Sequence, residues 1–325
     1  MMVKISDFKK SRLLMEVNLK PIQGERFQPT GFPDIGAATY TLPDGTDKLL
    51  VESSQSMANR LEATIIKSDG TLVDELEGLS YVKVNLTGDI TSKTSSLVEA
   101  HRINSPFIIE SEGKKFQNTI IEEMQYSEGH VIDWKSVAKT LFKYDINSLL
   151  HGVFFSNVRD GRVKLPRSLS SFIEATGIRD AAYGGVKNNA LDPKGVYRAK
   201  DYNKDVYGNV PYNRVEYTAE KITAYFNIDL QQLRNFNIGE KETDLLLNLA
   251  LYKIRLFLDE GLRLRTFCDL QHTENIKYSE KFELPQKQEI LSSLKELISE
   301  CKNSFALPAV TELECPVTLT KKKDK

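Results

Sequence analysis

The stretch Lys48-Leu-Leu-Val-Glu-Ser-Ser-Gln-Ser-Met-Ala-Asn-Arg60 anchors the reading of the whole chain. Its apolar run suits a strand and leads straight into Ser53-Ser54, after which a helix-forming segment begins at once. Either serine suits the N-cap, because a hydroxyl there accepts from a free amide of the first turn. Ser56, Asn59 and Arg60 then fall within about one turn of one another. Two readings follow. One is an ordinary capped helix. The other is a phosphate grip, since a helix start presents unpaired N–H groups and partial positive charge, to which Gln55, Asn59 and Arg60 add side chains.

Upstream, Arg12 to Leu19 alternates, with Leu13, Met15, Val17 and Leu19 on one side, as a half-buried strand does. A loop rich in Gly, Pro and Asp spans Gly24 to Gly45. Downstream, Thr94 or Ser95 suits the cap of a short helix running through His101. Asp133 suits the cap of a helix whose stripe is Trp134, Val137, Ala138, Leu141 and Phe142. Leu149 to Phe155 and Lys221 to Leu230 read as strands, separated by roughly 60 residues, too many for a plain connection. An apolar helix from Thr243 to Glu260 is closed by Gly261, a strand from Leu262 to Cys268 follows, and Gln286 to Lys302 is a last amphipathic helix. The tail ending KKKDK is expected to fray. This order predicts an α+β fold, helices on one face of an antiparallel sheet, with a ferredoxin-like core carrying long insertions.

A chain of 325 residues with 40% hydrophobic and 27% charged residues can bury a large core. Its start, MMVKISDFKK, lacks the apolar core of a signal peptide, and no apolar run is long enough to span a bilayer. Three scattered cysteines, Cys268, Cys301 and Cys315, suit reduced thiols and a cytoplasmic location. Net charge is −1, but it is unevenly spread. His151 to Arg214 holds 11 basic and 6 acidic residues, whereas Glu62 to Glu128 holds 6 basic and 12 acidic. One zone can take a polyanion, and the two can dock copies of the chain together.

No nucleotide-binding glycine loop, hydrolase elbow or metal-protease signature is present, and the four histidines are isolated. No cofactor or metal is expected, and the chain reads as a binder rather than an enzyme. Binding chemistry concentrates between Arg159 and Arg214. Arg159, Arg162, Lys164, Arg167, Lys187, Lys194, Arg198, Lys200, Lys204 and Arg214 are interleaved there with Tyr183, Tyr197, Tyr202, Tyr207 and Tyr212. Cations neutralise phosphates while rings stack on bases, which suits single-stranded nucleic acid. The alternative is a solvated loop whose tyrosines pack on the body. Gly184-Gly185 would allow close backbone approach to a phosphate. Arg263, Arg265 and Phe267 share one strand face, either as a nucleic-acid platform or as surface ion pairs. His101-Arg102 suits a helix C-terminal cap or a phosphate contact.

Taken together, RFQPTGFPDIGAATY, LLVESSQSMANRLE, TSSLVEAHRINSPFI, LLHGVFF, LPRSLSSFIEA, GGVKNN, EYTAEKITAYFNIDLQQLR and GLRLRTFCDL occur in this order over about residues 10 to 272. The set resembles the CRISPR-associated RAMP superfamily, and within it the crRNA-binding backbone subunits of type I-G (formerly I-U) Cascade complexes. The resemblance implies a modified RRM or ferredoxin-like palm in residues 1–272. Fingers would lie within about 24–130, a thumb within about 159–214, and a C-terminal helix and tail in 273–325. It also implies head-to-tail copies along a guide RNA, target DNA recognised through guide pairing, and further complex subunits as partners. Ser53, Ser54, Gln55 and Ser56 would contact guide phosphates, and the matched motifs add Arg26, Gln28 and Asn188 to the expected contacts. A competing expectation is a metal-dependent endoribonuclease using Asp34, and another is a general single-strand binder acting without a guide.

Overall fold

The computed structural model describes residues 2–32, 35–196 and 208–319. Asp34, Tyr197, Arg198, Lys200, Tyr202, Lys204, Tyr207 and the KKKDK tail lie outside the described residues. The chain begins with β1 (Leu13–Pro21), a small arm of β2 (Gly31–Phe32) and β3 (Gly36–Ala37), then β4 (Thr39–Thr41), β5 (Asp47–Glu52) and α1 (Ser54–Ala63). An insertion follows with β6 (Tyr81–Gly88), β7 (Ser92–Ser95), α2 (Pro106–Ile109), α3 (Ser111–Glu123), α4 (Trp134–Tyr144), α5 (Ile146–His151), β8 (Val153–Phe154) and β9 (Lys164–Leu165). The chain then forms β10 (Leu169–Lys187) and β11 (Val210–Ile228), followed by α6 (Leu230–Asn235) and α7 (Glu240–Glu260). It ends with β12 (Arg263–Arg265), β13 (Cys268–Tyr278), α8 (Lys287–Glu300) and β14 (Val310–Val317).

The main sheet runs β12-β13-β1-β11-β10-β5-β4. Its middle four strands, β13-β1-β11-β10, pair antiparallel throughout. In chain order this is β-α-β-β-α-β with strands placed 4-1-3-2, the ferredoxin-like arrangement, with α1 and α7 as the two helices. Alternation sets the faces. Leu13, Met15, Val17 and Leu19 of β1 and Ile222, Ala224, Phe226 and Ile228 of β11 are buried against α1 and α7. Leu14, Asn18, Lys20 and Lys221 point the other way and are exposed.

Helix α7 is buried on all sides, as its near-continuous apolar run requires, between the sheet, α1 and α8. Its buried Asn248, Lys253 and Arg255 each find polar partners. Asn248 binds Val3, and Arg255 donates to the Leu284 and Pro285 carbonyls. Lys253 donates to Asn147 Oδ1 at 2.5 Å and lies 2.8 Å from His151 Nε2. Desolvation lowers the Lys253 pKa to about 7. Gly261 ends the helix with φ −98°, so its role is space: a Cβ there would meet Phe257 Cδ2 at 2.7 Å.

Both described flanks of the tyrosine-rich segment are strands rather than loop. β10 and β11 pair from Leu169–Ile228 to Lys187–Val210, well past the rest of the sheet. Partner strands stop at Leu19–Ile222 and Lys48–Thr176, and Gly177 follows at once with φ +65°. A left-handed glycine lets the strand turn there, and a two-stranded arm projects beyond it.

Several expected elements differ. Leu149 and Leu150 belong to α5, and only Val153–Phe154 is strand. Thr94 and Ser95 lie in β7, and the segment to His101 is turn rather than helix. The strand expected through Cys268 breaks into a turn at Thr266-Phe267 before β13. β13 also runs across residue 272, where the C-terminal segment was expected to begin. That segment is integral: β14 pairs parallel with β6 over its whole length, completing the sheet β14-β6-β7. Asp133 caps α4 as expected, accepting from the Lys135 amide, although Trp134 stays 45% exposed while Val137, Ala138, Leu141 and Phe142 are buried.

Candidate nucleic-acid interface

Ser53 is the N-cap of α1, its Oγ accepting from the Ser56 amide at 3.2 Å. Ser54, Gln55 and Asn59 are exposed on that turn. Beneath them lies a residue that sequence reading missed. Glu52, 1% exposed at the end of β5, accepts from Ser56 Oγ, from Arg60 Nε at 3.1 Å and from Arg265. Arg60 also donates to the Leu264 carbonyl at 2.6 Å. Arg265 donates to the carbonyls of Gln28 at 2.8 Å and Val51 at 3.2 Å. The arginines expected to grip phosphate are thus turned inward. One buried carboxylate cannot be left bare, and it draws both guanidiniums onto itself. The only sequence signal was an acid directly after the core residue Val51.

The Arg265 contact leads to the base of the projecting arm. Gln28 donates its amide to the Phe267 carbonyl at 2.7 Å, and its Oε1 accepts from Arg214 at 2.9 Å. The Arg214 guanidinium lies 4.6 Å from the Phe267 ring centre and 5.8 Å from that of Tyr212. Tyr183 meets Tyr212 edge-on at 6.2 Å, and their hydroxyls are 3.3 Å apart. Phe267 stands 6.2 Å from Tyr183, over which Arg26 lies at 5.0 Å. Arg26 also reaches the buried Glu216 at 3.6 Å. Tyr212 and Phe267 are 42% and 38% exposed. Three rings and two guanidiniums therefore share one accessible surface, which can stack bases and hold phosphates.

Gly184 and Gly185 leave room for Tyr212 of this cluster. A Cβ on Gly185 would meet the Tyr212 hydroxyl at 2.9 Å, and one on Gly184 would meet the Tyr212 carbonyl at 3.1 Å. Lys187 and Asn188 are exposed further out on the arm.

The remaining expected contacts are dispersed. Arg102 is a half-buried brace, binding Glu62 at 2.6 and 2.8 Å and the Gly152 carbonyl at 3.0 Å. His101 is exposed in the preceding turn and caps no helix C-terminus. Arg162 binds Asp160 at 2.6 Å and the His130 carbonyl at 3.0 Å. Lys164 is exposed over the Phe154 ring at 5.4 Å. Arg167 binds Gln55, beside the α1 start, and burial and the nearby Arg102 charge hold its pKa below the usual value. Arg263 is exposed on the edge strand β12. Among the described residues, no group of three or more His, Cys, Asp or Glu side chains comes together as a metal site. No helix among them is long and apolar enough to cross a membrane.

None of the curated proteins compared matches this chain. Among solved structures, a chain of a "CRISPR RNA-guided surveillance complex, pre-nicking" aligns at 12% identity and a TM-score of 0.42, covering 84% of this chain and 77% of that one. Thermofilum pendens Csc2 aligns at 10% identity and a TM-score of 0.30, covering 91% of this chain and 77% of that one. These overlaps are loose, and the strand order above carries the fold. The family model described as "CRISPR-associated protein GSU0053" matches residues 13–180, more than half of the chain. From β1 to the arm, this protein belongs to that CRISPR-associated family.

Proposed function

We propose that this protein is a non-catalytic, guide-RNA-binding subunit of the backbone of a type I CRISPR interference complex. The surface formed by Tyr183, Tyr212 and Phe267 with Arg26 and Arg214 carries the reading, because it joins stacking rings to cations on one accessible face. Lys187 and Asn188 continue that surface along the arm, and the exposed Ser54, Gln55 and Asn59 continue it towards α1. Copies of the chain would line up head to tail, the acidic zone of residues 62–128 meeting the basic zone of residues 151–214 of the next. Invading DNA would then be recognised by pairing with the guide, in the cytoplasm.

The test is to purify the protein from its native host and sequence any RNA that comes with it. Uniform short species carrying a repeat-derived end are expected. Random fragments, or cleavage of complementary RNA that Asp34→Ala abolishes, would each overturn the reading.

A further inference from the structure

On the outward face of the main sheet, side chains fall into rows set by strand register. One row holds Lys277, Glu16, Tyr225 and Phe172. Its two rings stack 4.9 Å apart at an angle of 24°. Four residues along β1, about 13 Å away, is a row of cations. Thr176 pairs with both Lys221 and Lys48, and Lys20 and Lys221 flank the Leu19–Ile222 pair, the last between β1 and β11.

Charge on this face is unequal. Glu16 is matched by Lys277 at 3.2 Å. Glu174 is matched by Lys48 at 3.5 Å and by the Tyr40 hydroxyl at 2.9 Å. Lys20 and Lys221 are left over. Both are exposed, and among the described residues neither forms an ion pair, Asp269 near the end of β1 included. Two exposed like charges just past the end of the paired β1 and β11 repel one another, and an anion lying across them would relieve that.

We propose that this sheet face is a second binding surface, separate from the arm, for a single-stranded nucleic acid. Its phosphates would cross Lys20 and Lys221, and a base along the same strand would meet the edges of Phe172 and Tyr225. The recognised chemistry is the sugar-phosphate backbone, whether of RNA or of DNA. The arm cluster lies beyond Gly177, so the two surfaces can be occupied together.

Full-length protein with the RNA it retains from expression is titrated with labelled, non-complementary oligo(U) and oligo(dT) of equal length. Wild type is expected to bind, and Lys20→Ala/Lys221→Ala to bind about tenfold more weakly. The variant should keep its retained RNA and an equal or higher Tm, since removing like charges relieves repulsion; a merely structural role would lower Tm. Arg214→Ala should do the reverse, losing retained RNA while the added strand still binds. Equal affinity for both oligonucleotides marks phosphate recognition, and a preference identifies the strand. The inference is overturned if the double variant binds like wild type, loses its retained RNA instead, or changes only in self-association, which would assign the face to a protein neighbour. Should wild type retain no RNA, the guide-binding reading fails, while titration of the RNA-free protein still decides this one.

Discussion

Arginines under the α1 turn and arginines at the base of the arm belong to one bonded chain, yet they differ in what they rest on. Arg60 and Arg265 end on the buried Glu52, as Arg102 ends on Glu62. Arg214 ends over rings with one hydrogen bond to Gln28, and Arg26 lies over a ring with half of its side chain exposed, 3.6 Å from Glu216 and so beyond hydrogen-bond reach. A guanidinium closed onto a buried acid has its donors occupied and braces the fold. One laid on an exposed ring keeps N–H groups free for a phosphate. In sequence the two kinds look identical, and the neighbouring strand decides between them.

The sharpest way to break the contrast is Glu52→Ala. It leaves two partly buried guanidiniums without their carboxylate and should cost about 3–5 kcal/mol of stability, read by urea unfolding. A loss below about 1 kcal/mol would show that solvent already serves those arginines.

A buried cation without a carboxylate partner should behave differently again. Burial lowers the Lys253 pKa to about 7 in the folded protein from the usual 10.5. Between those values the folded state holds fewer protons than the unfolded chain, so stability should rise with pH through that window, and the full penalty is present below it. At about 1.4 kcal/mol per pKa unit, the effect should reach a few kcal/mol. Tm measured from pH 7 to pH 10 should climb in wild type relative to Lys253→Met, and parallel curves would contradict the assignment.

On the ring-held side, Tyr212→Ala or Arg214→Ala should weaken RNA binding by about 1–3 kcal/mol with little change in Tm. Equal losses of Tm and affinity would erase the distinction drawn above. The smallest effect is expected at Lys187, where replacement by Ala should lower the salt dependence of RNA binding by about one unit of slope. An unchanged slope would remove Lys187 from the phosphate contacts.

Patterns confined to one element were legible in the sequence. The alternation of β1 and β11, the Ser53 cap, the Asp133 cap and the long apolar α7 all follow from neighbours within a few residues. Features decided by distant partners were not. Glu52 and Arg265 are 213 residues apart, and nothing near either announces the other. The tyrosine-rich segment resembled a loop because small residues such as Ala181, Ala182, Gly184 and Gly185 carry little strand signal; pairing with residues 210–218 makes the strand. Leu149-Leu150 carried an apolar signal that fits a buried helix as well as a strand, and length alone was a poor arbiter. The helix start pointed to Arg60 and the shared strand face to Arg265, but neither pattern could announce the inward contact of each with Glu52.

The parallel pairing of β14 with β6 has a consequence for biosynthesis. During translation Tyr81–Gly88 leaves the ribosome more than 200 residues before Val310–Val317. Until then its far edge has nothing to zip against, so a stalled or truncated nascent chain carries an adhesive flank that invites chaperones or aggregation.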